Sequence, residues 1–139
     1  MLTKAHKLAT KYHRGQVDKA GKDYMIHLET VSQCCSGDNE IVKVVALLHD
    51  ILEDTCCTVE VLEACGFSNE VVEGVRAITK VDGEDYQMYL DRVKNNEVAR
   101  VVKICDLKHN MDLSRLSEVG EEDIKRWKKY KGALEYLSL

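Results

Sequence analysis

Apolar residues recur at three- and four-residue steps along most of this chain, and no proline interrupts them among its 139 residues. That period places the apolar side chains on one face of an α-helix. The β-branched runs 40–45 and 98–104 suit strands by propensity, but each continues into helical spacing, which favours helix. The sequence therefore predicts an all-α fold, a single compact bundle of about seven to eight helices covering residues 1–139.

Polar caps and glycines predict where the helices begin and end. Residues suited to capping a helix N-terminus precede five of the apolar-periodic segments. They are Thr3, Asp23, Asp38, Thr58 and Ser68. The first helix is expected to reach about His13, the third to run from Asp38 to near Asp54, and a long one to cover Val98–Leu116. Residues 14–23 read as a loop, and an amphipathic helix is expected over about 121–137.

Composition narrows the classes of partner. A net charge of -4 gives no support for nucleic-acid or anionic-membrane binding. No apolar run approaches the roughly 20 residues that cross a bilayer, and Met1 is not followed by a signal peptide. We therefore expect a cytoplasmic protein without nucleic-acid or membrane partners. The aromatic residues of the last helix leave two alternatives open, packing within the bundle or against a second copy in a homo-oligomer.

The chain contains six cysteines, with no Cys-x-x-Cys spacing. They are Cys34, Cys35, Cys56, Cys57, Cys65 and Cys105. Adjacent cysteines seldom bond to each other or ligate one metal well. Without a secretion signal, the expectation is that all six are reduced thiols that mostly serve as small apolar packing residues.

The stretch Val44–Thr55 combines an aliphatic run with four ionisable residues at its end. In a helix, His49 and Glu53 fall one turn apart, as do Asp50 and Asp54. Three carboxylates this close repel one another, and burial at the end of an apolar run adds to the cost. A divalent cation removes both costs, with His49 and Asp50 as ligands and Glu53 and Asp54 handling a water. The alternative is that these residues are the polar end of an amphipathic helix.

Two more residues could complete such a site. Asp106 is predicted on an apolar helix face, where a buried carboxylate needs a partner, and Asn110 lies one turn further on. His27 follows apolar residues on the second helix, where a hydrogen-bonded core histidine is the alternative. Together with His49 and Asp50, the side chains of His27 and Asp106 would give two nitrogen and two oxygen ligands, a mixture suited to Mn²⁺, Fe²⁺ or Zn²⁺. His6 and His109 are expected at the surface.

The order His27, His49-Asp50 and Asp106 resembles the ligand pattern of the HD-domain metal-dependent phosphohydrolases. Within them, the chain is most similar to the hydrolase domain of RelA/SpoT proteins and to the small alarmone hydrolases. Five phrases covering about residues 5–116 carry the resemblance. They are A-T-K-Y-H-R-G-Q (9–16), K-A-G-K-D-Y-M-I-H (19–27), A-L-L-H-D-I-L-E-D-T (46–55), A-I-T-K (77–80) and V-K-I-C-D-L-K-H-N-M (102–111).

The resemblance implies an enzyme that removes the 3′-pyrophosphate from guanosine tetra- or pentaphosphate, usually with Mn²⁺. By position, the metal ligands would be His27, His49, Asp50 and Asp106. Glu53 and Asp54 would orient and deprotonate the attacking water. Lys19 would meet phosphate, and Asn110 would contact the nucleotide near the metal.

Departures from the family pattern concern the substrate more than the chemistry. Asp18 stands where members commonly place an arginine that stacks on guanine, and Asp112 and Leu113 replace an arginine and a hydroxyl residue. No synthetase region is present, so alarmone synthesis is not expected. Two alternatives stay open: a nucleotidase or phosphatase of the HD type acting on another nucleotide, and a non-catalytic nucleotide-binding module. A mere binder would not need Glu53 and Asp54.

Overall fold

The computed structural model describes residues 1–35, 37 and 39–139, and within them it contains helices and no strand. The α-helices are α1 (Leu2–Tyr12), α2 (Tyr24–Cys34), α3 (Glu40–Leu48), α4 (Ile51–Asp54), α5 (Val59–Ala64), α6 (Asn69–Ile78), α7 (Tyr86–Lys94), α8 (Glu97–Asn110) and α9 (Glu121–Leu137). If the single turn α4 is left aside, the described residues form eight α-helices. The predicted all-α bundle is therefore confirmed.

The caps explain most helix starts. The side chains of Asp23, Thr58 and Ser68 each accept a backbone N–H from the first turn, as predicted. The expected Thr3 cap is wrong, because the Ala5 N–H already reaches the Met1 carbonyl and α1 begins before Thr3. The predicted start at Asp38 lies outside the described residues.

The expected continuous helix from Asp38 to Asp54 is interrupted between α3 and α4. The Nδ1 atom of His49 lies 2.6 Å from the Ala46 carbonyl oxygen. In a continuous helix that carbonyl would accept the N–H of Asp50. Because the ring occupies it, the backbone turns at His49 and Asp50 before α4 starts. The break matters for the site, since successive residues of an unbroken helix do not face each other.

The expected helix 98–116 also ends early, at Asn110. Asp112 is extended, and its carboxylate accepts the N–H of Ser114, which starts a 3-10 turn at Leu113–Arg115. Arg115 donates to the His109 carbonyl at 2.9 Å. These side-chain bonds supply partners that the α-helical ladder would otherwise provide, so the chain leaves the helix there.

Helix α3 forms the centre of the bundle and packs against α1, α2, α6 and α8. Its side chains Val44, Val45 and Leu48 are fully buried. Helix α6 approaches it closely at Gly74, where an added Cβ would lie 3.1 Å from Val45 Cγ2. Helix α9 packs on α7 and α8, and Arg100 of α8 donates to the Leu137 carbonyl at 2.6 Å. Within the described residues, no helix combines the length and apolarity needed to cross a membrane.

The expectation that all six cysteines are reduced thiols is wrong at two positions. Cys34, at the end of α2, forms a disulfide with Cys105 of α8, with the two Cα atoms 5.8 Å apart. The reason is packing, because α2 and α8 contact each other although the two cysteines are 71 residues apart in sequence. Cys35 and Cys57 are free and buried, as expected for small apolar packing residues.

Candidate metal centre

Four side chains from three parts of the bundle meet at one point. They are His27 of α2, His49 and Asp50 at the break between α3 and α4, and Asp106 of α8. One potential ligand atom from each lies within 4.8 Å of all the others. Three of the four residues are buried and Asp50 is partly buried. The structure thus brings together all four residues that the sequence analysis nominated as ligands.

Asp106 is at the centre of this cluster. Its Oδ1 lies 2.9 Å from His27 Nε2 and 3.3 Å from His49 Nε2. His49 Nε2 also lies 3.1 Å from Asp50 Oδ2. Burial opposes ionisation of Asp106, but Lys103 and His49 hold the pKa of its carboxyl well below the usual value. The cluster therefore presents ionised carboxylate oxygens to the two imidazole rings.

The ring of His49 shows that the cluster fits a divalent cation. Since Nδ1 faces the Ala46 carbonyl, it carries a hydrogen, and Nε2 is the atom that faces Asp50 and Asp106. Burial opposes charge on this ring, but the two carboxylates raise the pKa of His49 well above its usual value. A bound cation compensates the same excess of negative charge, and it replaces the Nε2 proton when it binds. Two nitrogen and two oxygen donors are the mixture that transition metals accept.

Three surrounding residues were missed by the sequence analysis. The Tyr24 hydroxyl donates to Asp50 Oδ2, and Lys103 Nζ lies 2.9 Å from Asp106 Oδ2. His109, which was predicted at the surface, is half-buried, and its Nδ1 lies 2.7 Å from His27 Nδ1. Their helical spacing is the signal that could have found them, since each lies three residues from a nominated ligand on the same helix.

Environment fixes the protonation of two of these residues. Burial and the neighbouring Asp50 carboxylate raise the pKa of Tyr24, which therefore remains a hydroxyl donor. Burial, Arg115 and His27 lower the pKa of His109 to about 4, so its ring is neutral at neutral pH. A neutral ring can accept a hydrogen bond, which an imidazolium cannot.

A cavity of about 470 Å³ opens above the cluster, within the size range of small-molecule sites. Lys19, Glu53, Asp54 and Asn110 all line it. Glu53 Oε1 accepts the Lys80 N–H at 3.0 Å. Burial, followed by repulsion from neighbouring carboxylates, raises the pKa of Asp54 to about 6. A carboxylate with that pKa is well suited to accept a proton near neutral pH.

At the far wall of the cavity, Asp18 does not present a free negative charge to a ligand. Asp18 Oδ2 lies 2.8 Å from Arg115 Nη2, and its Oδ1 accepts the N–H groups of Ala20 and Lys22. Its charge is therefore compensated within the protein. Lys19, beside it, has no ion-pair partner among the described residues. Helix α9 contributes Trp127 and an Arg126–Asp123 ion pair to the same wall.

Known proteins are similar to this chain in sequence and in fold. No protein-family model matches the chain. It is 33% identical over 126 residues to a guanosine-3′,5′-bis(diphosphate) 3′-pyrophosphohydrolase of Spiroplasma citri, across 79% of the chain and 16% of that protein. It is 27% identical over 124 residues to the bifunctional (p)ppGpp synthase/hydrolase SpoT of Escherichia coli K12, across 79% of the chain and 17% of that protein.

A solved structure covers nearly the whole chain. It is described as a metazoan ortholog of SpoT that hydrolyses ppGpp. The TM-score is 0.78 with 24% sequence identity, across 98% of the chain and 84% of that structure. The helical bundle therefore has the fold of the HD-domain class. Within that class the fold is of the RelA/SpoT hydrolase type, as the resemblance predicted.

Proposed function

We propose that this protein is a metal-dependent phosphohydrolase that removes the 3′-pyrophosphate from guanosine 3′,5′-bis(diphosphate). One observation carries the proposal: His27, His49, Asp50 and Asp106 converge at the base of an open cavity. The names of the relatives support the substrate, because all three are described as acting on this nucleotide. The chain spans 16% and 17% of the two curated relatives, so the activity is proposed for this domain alone.

The cofactor in this proposal is one divalent ion, with Mn²⁺ preferred over Fe²⁺ or Zn²⁺. Two imidazoles and two carboxylates would hold it. Such an ion supplies Lewis-acid activation of water and neutralises the charge that develops on phosphoryl oxygens. Lys103 contacts Asp106 Oδ2, the oxygen that does not face the imidazoles, whereas Tyr24 donates to Asp50 Oδ2, the oxygen that also faces His49. Both contacts restrict how these carboxylates rotate.

The cavity residues divide the remaining work. Asp54 accepts the proton of the attacking water, since its raised pKa matches that task. Glu53, anchored through Oε1 to the Lys80 N–H, orients the water. Lys19 meets substrate phosphate as a cation without an ion-pair partner among the described residues. Asn110 is already bonded to Asp106 Oδ1 at 3.1 Å and contacts the nucleotide beside the metal.

The Asp18–Arg115 ion pair supports a second candidate, a phosphohydrolase of the same class acting on another nucleotide. Related hydrolases commonly offer a free arginine to guanine at the position of Asp18. Here that position is a carboxylate, and the guanidinium beside it, that of Arg115, is bonded to this carboxylate at 2.8 Å. The chemistry at the metal would be unchanged, and the base contacts would differ.

A product assay separates the candidates. The Mn²⁺-loaded protein would be incubated with guanosine 3′,5′-bis(diphosphate) and a panel of other nucleotides, with products identified by mass. Pyrophosphate and GDP support the first candidate, whereas orthophosphate or products from another nucleotide support the second. Absence of turnover with every nucleotide contradicts both.

A matched pair of variants tests the division of roles. Asp50→Ala should abolish Mn²⁺ binding measured by calorimetry, because it removes a ligand. Glu53→Ala should retain Mn²⁺ and lose turnover, because its carboxylate acts on water and not on the metal. Equal loss of metal in both variants would contradict these assignments.

Four further features remain predictions. They are the single domain over residues 1–139, a cytoplasmic location, the lack of nucleic-acid and membrane partners, and the possible homo-oligomer. The net charge of -4 supports the third of these. Size-exclusion chromatography with light scattering would determine the oligomeric state.

A further inference from the structure

His27 and His109 contact each other through their ring edges. Their Nδ1 atoms are 2.7 Å apart, the ring centroids 5.0 Å apart, and the ring planes differ by 19°. Two rings stacked face to face could not bring these nitrogens so close together. The distance between the centroids equals the N–N distance plus about one ring radius for each ring, so both centroids and both nitrogens lie nearly on one line. The rings are therefore nearly coplanar, and the contact is an in-plane hydrogen bond.

A hydrogen bond between two ring nitrogens contains one hydrogen. One Nδ1 atom must donate and the other must accept. In the proposed site the Nε2 atom of His27 is a metal ligand, since it is the atom that faces Asp106 at 2.9 Å. A neutral imidazole that ligates through Nε2 carries its hydrogen on Nδ1. His109 Nδ1 is then the acceptor.

We propose that His109 is a positioning residue that fixes the tautomer and ring orientation of His27, so that the Nε2 lone pair of His27 points at the metal. The inference rests on the proposed metal site and goes beyond it, since His109 itself ligates nothing. It performs for His27 the task that the Ala46 carbonyl performs for His49. Each of the two histidine ligands is thus oriented by a hydrogen bond at Nδ1, the ring nitrogen that does not face the metal site. The partner is a backbone carbonyl for His49 and a side chain for His27.

The position of His109 is itself fixed. It lies three residues after Asp106 on α8, so one helix supplies both a ligand and the support of another ligand. Arg115 Nη1 donates to the His109 carbonyl at 2.9 Å, and Arg115 Nη2 is bonded to Asp18. The end of α8 is thereby tied to the wall of the cavity. A tethered support orients a ligand better than a mobile one.

Calorimetric titration with Mn²⁺ tests this role in variants of the full chain. His109→Phe keeps a planar ring and removes the acceptor, whereas His109→Asn keeps an oxygen close to the position of Nδ1. His6→Phe is the matched control, because His6 is exposed and bonded to Glu29. We expect His109→Phe to raise the Kd for Mn²⁺ by about 10- to 100-fold, the usual effect of losing a ligand's supporting partner. His109→Asn should recover most of the affinity, and His6→Phe should match the unmodified protein.

The outcomes separate this inference from the proposed function. If the unmodified protein binds Mn²⁺ and folded His109→Phe binds it equally well, the positioning role is refuted and the metal site stands. Failure of His109→Asn to improve on His109→Phe refutes it as well. If the unmodified protein does not bind Mn²⁺, the proposed function and the inference fail together.

Folding of each variant would be checked by far-UV circular dichroism. Should His109→Phe not fold, ¹⁵N NMR of the Zn²⁺-loaded unmodified protein decides instead. A protonated Nδ1 on His27 is the expected result, and an unprotonated Nδ1 overturns the inference.

Discussion

Lys103 and Asp106 form a buried ion pair beside the proposed metal, with 2.9 Å between Nζ and Oδ2. The exposed fractions of the two side chains are 16% and 6%, so water screens the pair little. Removing one partner of such a pair lowers the free energy of unfolding by about 3–5 kcal/mol, because the other charge stays buried without compensation. We expect Lys103→Met to cost about 3 kcal/mol, the lower end, since His27, His49 and Asn110 still lie within bonding distance of Asp106.

A double variant tests whether the two buried charges stabilise each other. Asp106→Asn should also destabilise the fold, because it leaves the Lys103 ammonium without its carboxylate. Lys103→Met combined with Asp106→Asn removes both charges. It should therefore be less destabilised than the sum of the single variants, by about 0.5–3 kcal/mol. A folded domain is typically stable by about 5–15 kcal/mol, so the single variants should remain measurable.

The assay is urea unfolding followed by far-UV circular dichroism in EDTA, which excludes a contribution from bound metal. Lys108→Met is the control, because Lys108 is an exposed lysine on the same helix. Its free energy of unfolding should change by less than about 0.5 kcal/mol. Additive single variants, or a Lys103→Met variant as stable as the control, would refute the account of the buried pair.

Three other predictions concern the disulfide, the helix packing and the reaction. Cys34→Ser should lose about 4 kcal/mol of stability, because the Cys105 disulfide spans 71 residues, and dithiothreitol should destabilise only the unmodified protein; no effect of reductant would contradict the bond. Gly74→Ala should be less stable than Gly132→Ala by about 1–3 kcal/mol, since only the first added methyl meets a neighbouring helix, and equal thermal unfolding would contradict this. Turnover should fall as pH decreases through about 6, or lower with metal bound, as Asp54 becomes protonated; an acid limb that persists in Asp54→Asn would contradict its role as the base.

Local signals account for the parts of the fold that the sequence predicted well. Asp23, Thr58 and Ser68 precede apolar-periodic segments, and each caps its own first turn without help from the rest of the chain. The break after α3 was missed because it depends on the ring of His49 taking the Ala46 carbonyl. Helical periodicity records which face is apolar and carries no information about such a competing acceptor.

Contacts between residues far apart in sequence could not be predicted from local sequence patterns. The disulfide joins Cys34 to Cys105, and only the packing of α2 on α8 makes them neighbours. The contact of His109 with His27 joins the same pair of helices across 82 residues of sequence, so a local pattern could not reveal it. The ligands were nominated from ionisable residues on apolar helix faces and from the resemblance in their order, whereas their supporting residues follow from geometry.

The central claim is that one divalent cation binds where the three parts of the bundle meet. Anomalous diffraction from crystals grown with Mn²⁺ tests it most directly. The account predicts a single strong peak within direct ligation distance of His27, His49, Asp50 and Asp106. A peak elsewhere, or side chains that turn away from one another with no peak between them, would contradict it.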